Sequence, residues 1–437
     1  MTSRLLMKLS FRNVMRHGQK SRGSVIVMAV SILALCLLAG YMQSNLDLVR
    51  NAFMRWGARG HLILERPSSD LARQVEGAGQ KPLTRDMQSR LDAMLKADDR
   101  VAVRARVLRL SGMVSNAGVS TIFSGIGQDV QEIRQIKGAA YEYDVVAGTP
   151  LWQDRSERPL IVGQGLAAIL GCNVPKVGFA PVMPGQTPES RPIQCPDDLL
   201  ELTVSTRGTD RINVLRAKPT GIMDWGIKEI NDRLVVMPMA QAQALLNTTD
   251  VSEYHVLLHD DQMLDAVMES LNHAIRDEGL DVKVFRWSDR ATFYQQVRSV
   301  LSGFLWFIVI VSIVVCFNSL MNSSYMNFIQ RSREFATLRS MGYGKTFVMV
   351  LAVLENIWLA AMASVVGILG AVVITWAVRA ARLMWTPPGS SNAVPVEIAW
   401  TVSFYMFGAL MMILLASVAG MLPMRRVVGQ QINRAIA

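Results

Sequence analysis

The stretch Gly344-Lys345-Thr346 has the residue types that end the phosphate-binding loop of an ATPase. That loop needs a second glycine with four residues between the two, so that backbone N–H groups can surround the phosphates. The position where this glycine should stand holds Arg339. The loop also follows a strand in a soluble α/β domain, whereas here a charged segment precedes it and a long apolar run follows. The sequence therefore does not predict that ATP binds at this stretch.

Other residues with catalytic potential form no complete set. His255 and His259 are four positions apart, but the zinc-protease helix also needs a Glu directly after the first His, and none is there. The segment that contains them alternates as a strand does, which favours two histidines on one face over a metal site. The sequence contains no Gly-x-Ser-x-Gly nucleophile motif and no Cys-x-x-Cys pair. A membrane-bound enzyme is accordingly the least favoured class of function.

Composition indicates a membrane protein with a sizeable soluble part. Of the 437 residues, 51% are hydrophobic and only 18% are charged, too apolar a balance for a typical soluble protein of this size. The formal net charge of +10 could indicate nucleic acid as a partner. However, the basic residues cluster beside apolar runs without interleaved aromatic residues, so membrane topology explains them better and no nucleic acid is expected.

Four apolar runs are long enough to cross a bilayer, which takes about 20 residues. We therefore expect an α-helical membrane protein with four transmembrane helices plus a large mixed α/β extracytoplasmic domain between helices one and two. The first run has a long basic flank and reads as an uncleaved signal anchor. The expected layout is an N-terminal amphipathic helix 1–23, span one 24–42, outer domain 43–297, span two 298–325, cytoplasmic helix 326–346, span three 347–378, outer loop 379–400, span four 401–422 and tail 423–437.

The orientation follows from the basic residues next to the spans, because short cytoplasmic segments carry an excess of Lys and Arg. Arg379 and Arg382 lie on the opposite side, a minor departure that snorkelling to the headgroups would accommodate. Both chain termini are then cytoplasmic, and the large domain is extracytoplasmic. The residues that indicate this orientation are Arg4, Lys8, Arg12, Arg16, Lys20, Arg22, Arg331, Arg333, Arg339, Lys345, Arg425, Arg426 and Arg434.

The outer domain has mixed periodicity. Residues 100–114, 118–126 and 233–238 are predicted to be strands, and residues 84–97 and 262–279 to be helices. Residues 181–198 are rich in Pro and Gly and read as a long loop or inserted flap.

Cys172 and Cys195 flank that loop on the outer side of the membrane, where an oxidising compartment would favour a disulfide between them. In the chain-entropy view, closing a loop of this length contributes about 3 kcal/mol to stability. Two separate buried thiols are the alternative.

The segment between spans two and three is the most informative part of the chain. Span two is expected to continue as a charged helix, followed by a short amphipathic segment that presents Phe335, Leu338 and Met341 at i, i+3 and i+6. Gly342 and Gly344 then allow a tight turn into span three.

This segment resembles the cytoplasmic stretch of four-span permeases of the MacB, FtsX and LolC–LolE type, the type VII ABC transporter permeases. The similarity extends to Glu355 early in span three, to the basic N-terminus, to the domain between spans one and two, and to the C-terminal tail. Outer segments such as residues 118–126 resemble the lipoprotein-releasing branch, although the family's Leu-Gly-x-x-x-Gly-Asp motif is replaced at residues 170–181. The residues that match the family's cytoplasmic motif are Arg331, Glu334, Phe335, Leu338, Arg339, Met341 and Gly342.

The resemblance implies a non-catalytic subunit of the bacterial inner membrane with a periplasmic outer domain. This chain would hold no cofactor, because a separate ABC ATPase, present in two copies, would bind ATP and Mg and receive the cytoplasmic segment in a groove. Other implied partners are a second permease copy or a paralogue, a periplasmic carrier or adaptor, and membrane lipid.

The implied activity is mechanotransmission that extracts a lipoprotein from the periplasmic side, or exports an amphiphile or peptide from there. An FtsX-like transducer that transports nothing and controls a cell-wall hydrolase is the alternative. A sensor subunit for antimicrobial peptides is a further one, although such members usually have more spans.

Three polar residues inside or beside the spans are singled out. Glu355 is costly in lipid and should face protein or water, in a coupling or packing role or simply near the cytoplasmic interface. Asn318 and Asn322 are expected to hydrogen-bond between helices. The apolar and aromatic start of span two lines an outer-leaflet cavity in the family, with plain lipid contact as the alternative.

Overall fold

The computed structural model describes residues 3–67, 81–174, 191–206, 211–385 and 394–427. Within them, elements are numbered in chain order. The helices are α1 Ser3–Asn51, α2 Arg85–Ala97, α3 Val130–Lys137, α4 Gln164–Ile169, α5 Lys228–Asn231, α6 Met239–Leu246, α7 Leu264–Asp277, α8 Thr292–Gln330, α9 Ser332–Ser340, α10 Lys345–Ala381 and α11 Val402–Val427. The strands are β1 Leu62–Glu65, β2 Val101–Asn116, β3 Val119–Gln128, β4 Ala147–Gly148, β5 Pro159–Gly163, β6 Leu200–Ser205, β7 Ile212–Met223, β8 Leu234–Pro238, β9 Glu253–Leu258, β10 Lys283–Arg286, β11 Met384–Trp385 and β12 Val394–Pro395.

The chain folds as two units. One contains the described parts of Met1–Asp47, Gln296–Leu383 and Pro395–Ala437, and the other those of Leu48–Gln295 and Met384–Val394. Four helical stretches are long and apolar enough to cross a membrane, namely Arg22–Trp56, Thr292–Met326, Lys345–Ala381 and Val402–Met421. A large α/β domain lies in sequence between the first and second of them. The predicted fold class is therefore confirmed.

The helical unit packs through small residues. A Cβ added at Gly367 of α10 would come within 2.6 Å of the Ala29 carbonyl oxygen on α1, and one at Gly370 would come within 2.8 Å of the Leu33 side chain. Small residues of this kind let membrane helices approach closely. In this structure they join α10 to α1 within one chain.

Helix α1 has no break at the inner boundary of span one. The sequence suggested an amphipathic helix 1–23 followed by a span, and the structure has one α-helix from Ser3 to Asn51. A single turn of π-helix, Ala52–Trp56, continues it. The basic N-terminal segment is therefore part of the same helix as the first span.

The outer unit is built on one mixed sheet. Its described strands follow the order β10-β1-β9-β2-β3-β8-β5-β7-β4, and β6 pairs with both β2 and β7. The pairs β3–β8 and β5–β7 are parallel, and the other strand pairs are antiparallel. Buried apolar residues from β2, β3, β5 and β7 form the larger core together with α4 and α6, while α2 and α7 cover β1, β9 and β10.

Local sequence explains the helices of this unit. Asp129 caps α3 by accepting hydrogen bonds from the backbone N–H groups of Gln131 (3.0 Å) and Glu132 (3.2 Å). Val267, Leu271 and Ile275 recur at four-residue spacing and form the buried face of α7. The strands and helices predicted from periodicity in this domain are confirmed by β2, β3, β8, α2 and α7.

Cys172 and Cys195 form a disulfide in the structure. Both side chains lie at the larger core of the outer unit. Most of the predicted loop 181–198, namely residues 181–190, lies outside the described residues, as do residues 428–437 of the predicted tail and residues 386–393 of the predicted outer loop. The bond closes a loop of sequence separation 23.

Replacing both cysteines with serine should lower the stability of the outer unit by about 3 kcal/mol, because the unfolded chain regains the entropy of the open loop. For a unit of this size the melting temperature should fall by roughly 6–12 °C. Thermal unfolding of the full chain in detergent, with and without reductant, measures this. Reductant should lower the melting temperature of the natural chain and leave that of the variant unchanged; an equal effect on both would contradict the prediction.

Candidate functional site

The segment between the second and third candidate spans, predicted to be cytoplasmic, contains a single non-helical residue, Arg331, which separates α8 from α9. Its guanidinium Nη1 donates to both carboxylate oxygens of Glu355 on α10, at 3.0 and 2.9 Å. Its Nε donates to Glu334 at 2.9 Å. Arg331 and Glu355 are each only 13% exposed, whereas Glu334 is 57% exposed. The carboxylate of the third span is therefore neutralised by the residue at the helix break.

The same carboxylate also binds the N-terminal helix. The side-chain amide of Asn13 on α1 donates to Oε1 of Glu355 at 2.9 Å. One turn further along α10, Trp358 contacts Phe11 of α1 edge to face, with 4.9 Å between the ring centroids. Glu355 thus joins three parts of the helical unit, which are α1, the α8–α9 junction and α10.

The positive charge of Arg331 is stabilised by two carboxylates and by an aromatic ring. Burial disfavours the charged form of Arg331, but the carboxylates of Glu355 and Glu334 outweigh this and raise the pKa of Arg331 above its ordinary value. The guanidinium also lies over the ring of Phe335, 5.1 Å from its centroid. Arg suits this place because its planar fork can serve two carboxylates at once.

Apolar packing attaches the rest of α9 to the start of the third span. Phe335 is 5% exposed and contacts Val348 and Leu351 of α10. Leu338 and Leu6 of α1 pack partly buried against the same cluster. Helix α9 is therefore anchored by an ion pair at its beginning and by an aromatic side chain one turn later.

The turn after α9 needs glycine and presents an exposed surface. Gly342 has φ +92°, a conformation that residues with a Cβ rarely adopt. Met341 is 63% exposed, and Tyr343 is exposed and stacks on Phe347 at 4.6 Å between ring centroids. With the exposed Lys345, these side chains form an apolar and basic tip at the end of the anchored helix.

Residues 306–432, which include this segment and the last two spans, match the family model of the FtsX-like permease C-terminal domain. This part of the chain is similar to the C-terminal domain of FtsX-like permeases. The segment anchored at Arg331 thus lies inside the part of the chain that the family model matches.

Solved structures match this chain at low identity. The extracellular domain of the ABC-type transporter YknZ from Gram-positive bacteria is 13% identical, with 52% of this chain and 100% of that chain covered and a TM-score of 0.31. The periplasmic region of MacB from Actinobacillus actinomycetemcomitans is 11% identical, with 55% and 92% covered and a TM-score of 0.33. At these scores the likenesses carry no conclusion about this chain. No curated protein matches it, so its place in the lipoprotein-releasing branch stays a prediction.

The structure places the residues of the predicted cytoplasmic motif in two groups. Arg331, Phe335 and Leu338 face the chain's own helices, and Arg339 is half-buried. Of the amphipathic face expected at Phe335, Leu338 and Met341, only Met341 is fully available to a partner. The apolar spacing correctly predicts a packing face. Phe335 and Leu338 of that face pack against the start of α10 in the same chain.

Among the described residues of this chain, Asn318 and Asn322 make no hydrogen bond to another helix, contrary to the prediction. Asn318 donates to the carbonyl of Val314 in its own helix at 3.1 Å, and Asn322 is exposed. The bond between α8 and α10 is instead made by the amide of Asn356, which donates to the Ser324 hydroxyl at 2.7 Å. Periodicity could have identified Asn356, since it is the polar residue nearest to Glu355 on the buried side of α10.

The other residues that suggested phosphate or metal binding in the sequence either have structural roles or lie apart from one another. Gly344 caps α10 and is preceded by the helix α9 and a turn, and Lys345 and Thr346 are exposed at the start of a 37-residue helix. His255 lies buried in β9 between the carbonyl of Ala58 (2.8 Å) and the carboxylate of Glu253 (2.9 Å), while His259 is exposed. The two histidines therefore do not converge on one site.

Substituting Glu355 with Gln should destabilise the helical unit by about 2–3 kcal/mol, because Arg331 would stay largely buried without its main counter-charge. Glu334→Gln is a matched control. It alters the same kind of group bound to the same arginine, but at an exposed position where an ion pair contributes less than about 1 kcal/mol. Thermal unfolding in detergent compares the two variants, and equal losses would contradict the role assigned to Glu355.

Proposed function

We propose that this chain is the membrane subunit of an ABC transporter that is driven by a separate ATPase. The observation that carries the proposal is the anchored α9 segment with its exposed tip, inside a domain that matches FtsX-like permeases. A segment of this kind has the features of a docking element, since its first residue is held by an ion pair and its other end is an exposed apolar tip. ATP and Mg would be bound by the partner and not by this chain.

The tip suits a groove with an apolar floor and an acidic rim. Met341 and Tyr343 offer adjoining apolar surface, and Arg333 and Lys345 offer exposed positive charge at either end of the segment. A side chain as flexible as Met adapts to an irregular pocket, and a buried aromatic is a frequent anchor of protein interfaces. We infer that two ATPase copies each receive one tip, with a second permease copy or a paralogue completing the assembly.

Movement of the tip would reach the spans through the contacts at Arg331. A push on α9 acts on the Arg331–Glu355 pair and on the Phe335 cluster, both of which end on α10. Asn13 adds α1 to the same junction. Closure of the ATPases would therefore shift three helices together rather than bend one loop, as mechanotransmission requires.

The work is proposed to act on a substrate at the periplasmic side of the inner membrane. Extraction of a lipoprotein from the outer leaflet is the first choice, and export of an amphiphile is the second. The alternative is an FtsX-like transducer that transports nothing and controls a periplasmic partner such as a cell-wall hydrolase. A chain of this layout offers the same cytoplasmic junction to either role, so the periplasmic partner distinguishes them.

A photoreactive benzoylphenylalanine at Met341 should crosslink to an ABC ATPase in intact cells, because this side chain is exposed at the end of the anchored helix. The control is the same amino acid at Val365, an equally exposed residue in the middle of the third span. Mass spectrometry identifies the adducts. A crosslink to an ATPase at Met341 and none at Val365 is expected.

An absence of ATPase adducts at Met341, with the protein folded and inserted, would contradict the proposed function. Proteins that copurify in mild detergent separate its two forms. A bound lipoprotein or lipid carrier supports extraction, whereas a peptidoglycan hydrolase supports the transducer.

A further inference from the structure

His61 is a buried histidine at the point where the chain passes from α1 into the sheet of the outer unit, and only 2% of it is exposed. A turn of π-helix and two residues of positive φ, Ala58 (+51°) and Gly60 (+62°), precede it. Its backbone N–H donates to the carbonyl of Val256 at 2.7 Å, and its carbonyl accepts from the N–H of Trp287 at 3.1 Å. The backbone of His61 is therefore fixed between β9 and the segment that leads into α8.

The imidazole of His61 contacts two further parts of the same unit. Its Nδ1 accepts a hydrogen bond from the backbone N–H of Leu258 at the end of β9, at 2.9 Å. Its Nε2 contacts the carboxylate of Asp261, which also binds the guanidinium of Arg50 in the last turn of α1. We call the contacts of His61 and Arg50 with this carboxylate the Asp261 clamp. All of these residues belong to the outer unit.

The surroundings of the ring determine which of its nitrogens carries the proton. A backbone N–H can only donate, so Nδ1 is the unprotonated nitrogen and the proton lies on Nε2, toward Asp261. A second proton on Nδ1 would face the N–H of Leu258. That hydrogen bond would be lost, and two buried donors would oppose each other. The arrangement in the structure therefore requires a neutral His61.

The electrostatics of the site favour the same neutral form. Burial lowers the pKa of His61 below its ordinary value; Asp261 opposes this, whereas Arg55 and Arg50 add to it. These three side chains are the charged groups that act on the ring. A histidine whose pKa is lowered on folding stabilises the folded state fully above its ordinary pKa of about 6.5, and this contribution is lost as the pH falls below that value.

We propose that His61 is an acid-sensitive switch that controls how firmly the last turn of α1 is held on the rest of the outer unit. When the ring takes up a second proton, it turns away from Leu258. Asp261 then either follows the imidazolium or turns to water, and in both cases its contact with Arg50 is broken. Asp261 and Arg50 are 52% and 39% exposed, so water can hydrate both groups once the clamp opens. This regulation goes beyond the proposed function and needs no ATPase.

A pair of spin labels on the purified full chain reports whether the clamp is closed. Leu48 of α1 and Met263, which follows Asp261 in the same short turn, are 45% and 47% exposed. Both are replaced by labelled cysteines in a chain whose Cys36 and Cys316 are replaced by alanine. Electron paramagnetic resonance gives the distance between the labels at about pH 8 and about pH 5, on either side of the ordinary pKa of histidine. We expect one narrow distribution at the higher pH, and a second, longer and broader population at the lower pH.

A reference pair separates opening of the clamp from unfolding of the whole unit. Labels at Met113 and Ile169 lie at exposed positions of the same unit that take no part in the clamp. Their distance distribution should be the same at both pH values.

Three variants assign the response to the clamp. In His61→Asn the amide oxygen can accept from the Leu258 N–H in place of Nδ1 but does not titrate, so the Leu48–Met263 distribution should not change with pH. His259→Asn is the matched control, because it removes an exposed histidine of the same unit, and it should respond as the natural chain does. Asp261→Asn alters a half-exposed side chain and should leave folding intact. Its longer population should appear at both pH values, because a neutral amide holds Arg50 less strongly than a carboxylate does.

Several results would overturn the proposal. One is a Leu48–Met263 distribution that stays the same at the lower pH in the natural chain, and another is an equal change in the reference pair. A response to acid that persists in His61→Asn or disappears in His259→Asn would place its origin elsewhere. If Asp261→Asn responds to pH as the natural chain does, the carboxylate is not the clamp, which keeps the test decisive even if His61→Asn fails to fold.

Discussion

A carboxylate in a membrane helix needs a partner if it is to keep its charge. The contacts of one such carboxylate connect three parts of the helical unit of this chain. Glu355 of α10 is held by Arg331 and by Asn13. The cost of taking both charged groups out of water is offset only when geometry and additional hydrogen bonds are good, and here Arg331 serves both oxygens of one carboxylate and also reaches a second one. The Arg331–Glu355 pair therefore holds the break between α8 and α9 beside α10.

Other features of the helical unit follow from the position of this pair. With Arg331 at the junction, Phe335 comes one turn later onto the start of α10, and Gly342 then reverses the chain into the third span. Close packing of α1 and α10 through Gly367 and Gly370 keeps Asn13 within reach of Glu355. The exposed tip at Met341 and Tyr343 is thus attached to a junction that three helices share, as the proposed coupling to an ATPase would require.

The sequence was sufficient for the architecture because the decisive signals are local. Apolar runs of membrane length predicted the four spans, and two-residue and 3.6-residue periodicities predicted strands such as β2 and helices such as α7. It was also sufficient to mark Arg331 and Glu355, the first through its motif and the second because a charge inside an apolar run is conspicuous. It could not show that the two residues bind each other, since 23 residues separate them and only the reversal at Gly342 brings them together.

The predictions for the neighbours of Phe335, Asn318 and Asn322 were wrong for a related reason. Helical spacing identifies which residues share a face but not what lies opposite, so Phe335 was assigned to a partner when it packs on the chain's own α10. Asn318 and Asn322 were expected to hydrogen-bond between helices, yet both side chains are exposed in this chain. For α9 and for α8 the sequence correctly shows which residues share a face. Which element packs against that face depends on the arrangement of the helices in space.

A double-mutant cycle between Arg331 and Glu355 tests the central claim most directly. The free energy of unfolding in detergent is compared for the natural chain, Arg331→Gln, Glu355→Gln and the double variant. If the pair anchors the cytoplasmic segment, the double variant should be more stable than the sum of the single losses predicts, by about 1–3 kcal/mol, because neither partner is left buried and uncompensated. Losses that add within about 0.5 kcal/mol would show that the two residues act independently and would contradict the account.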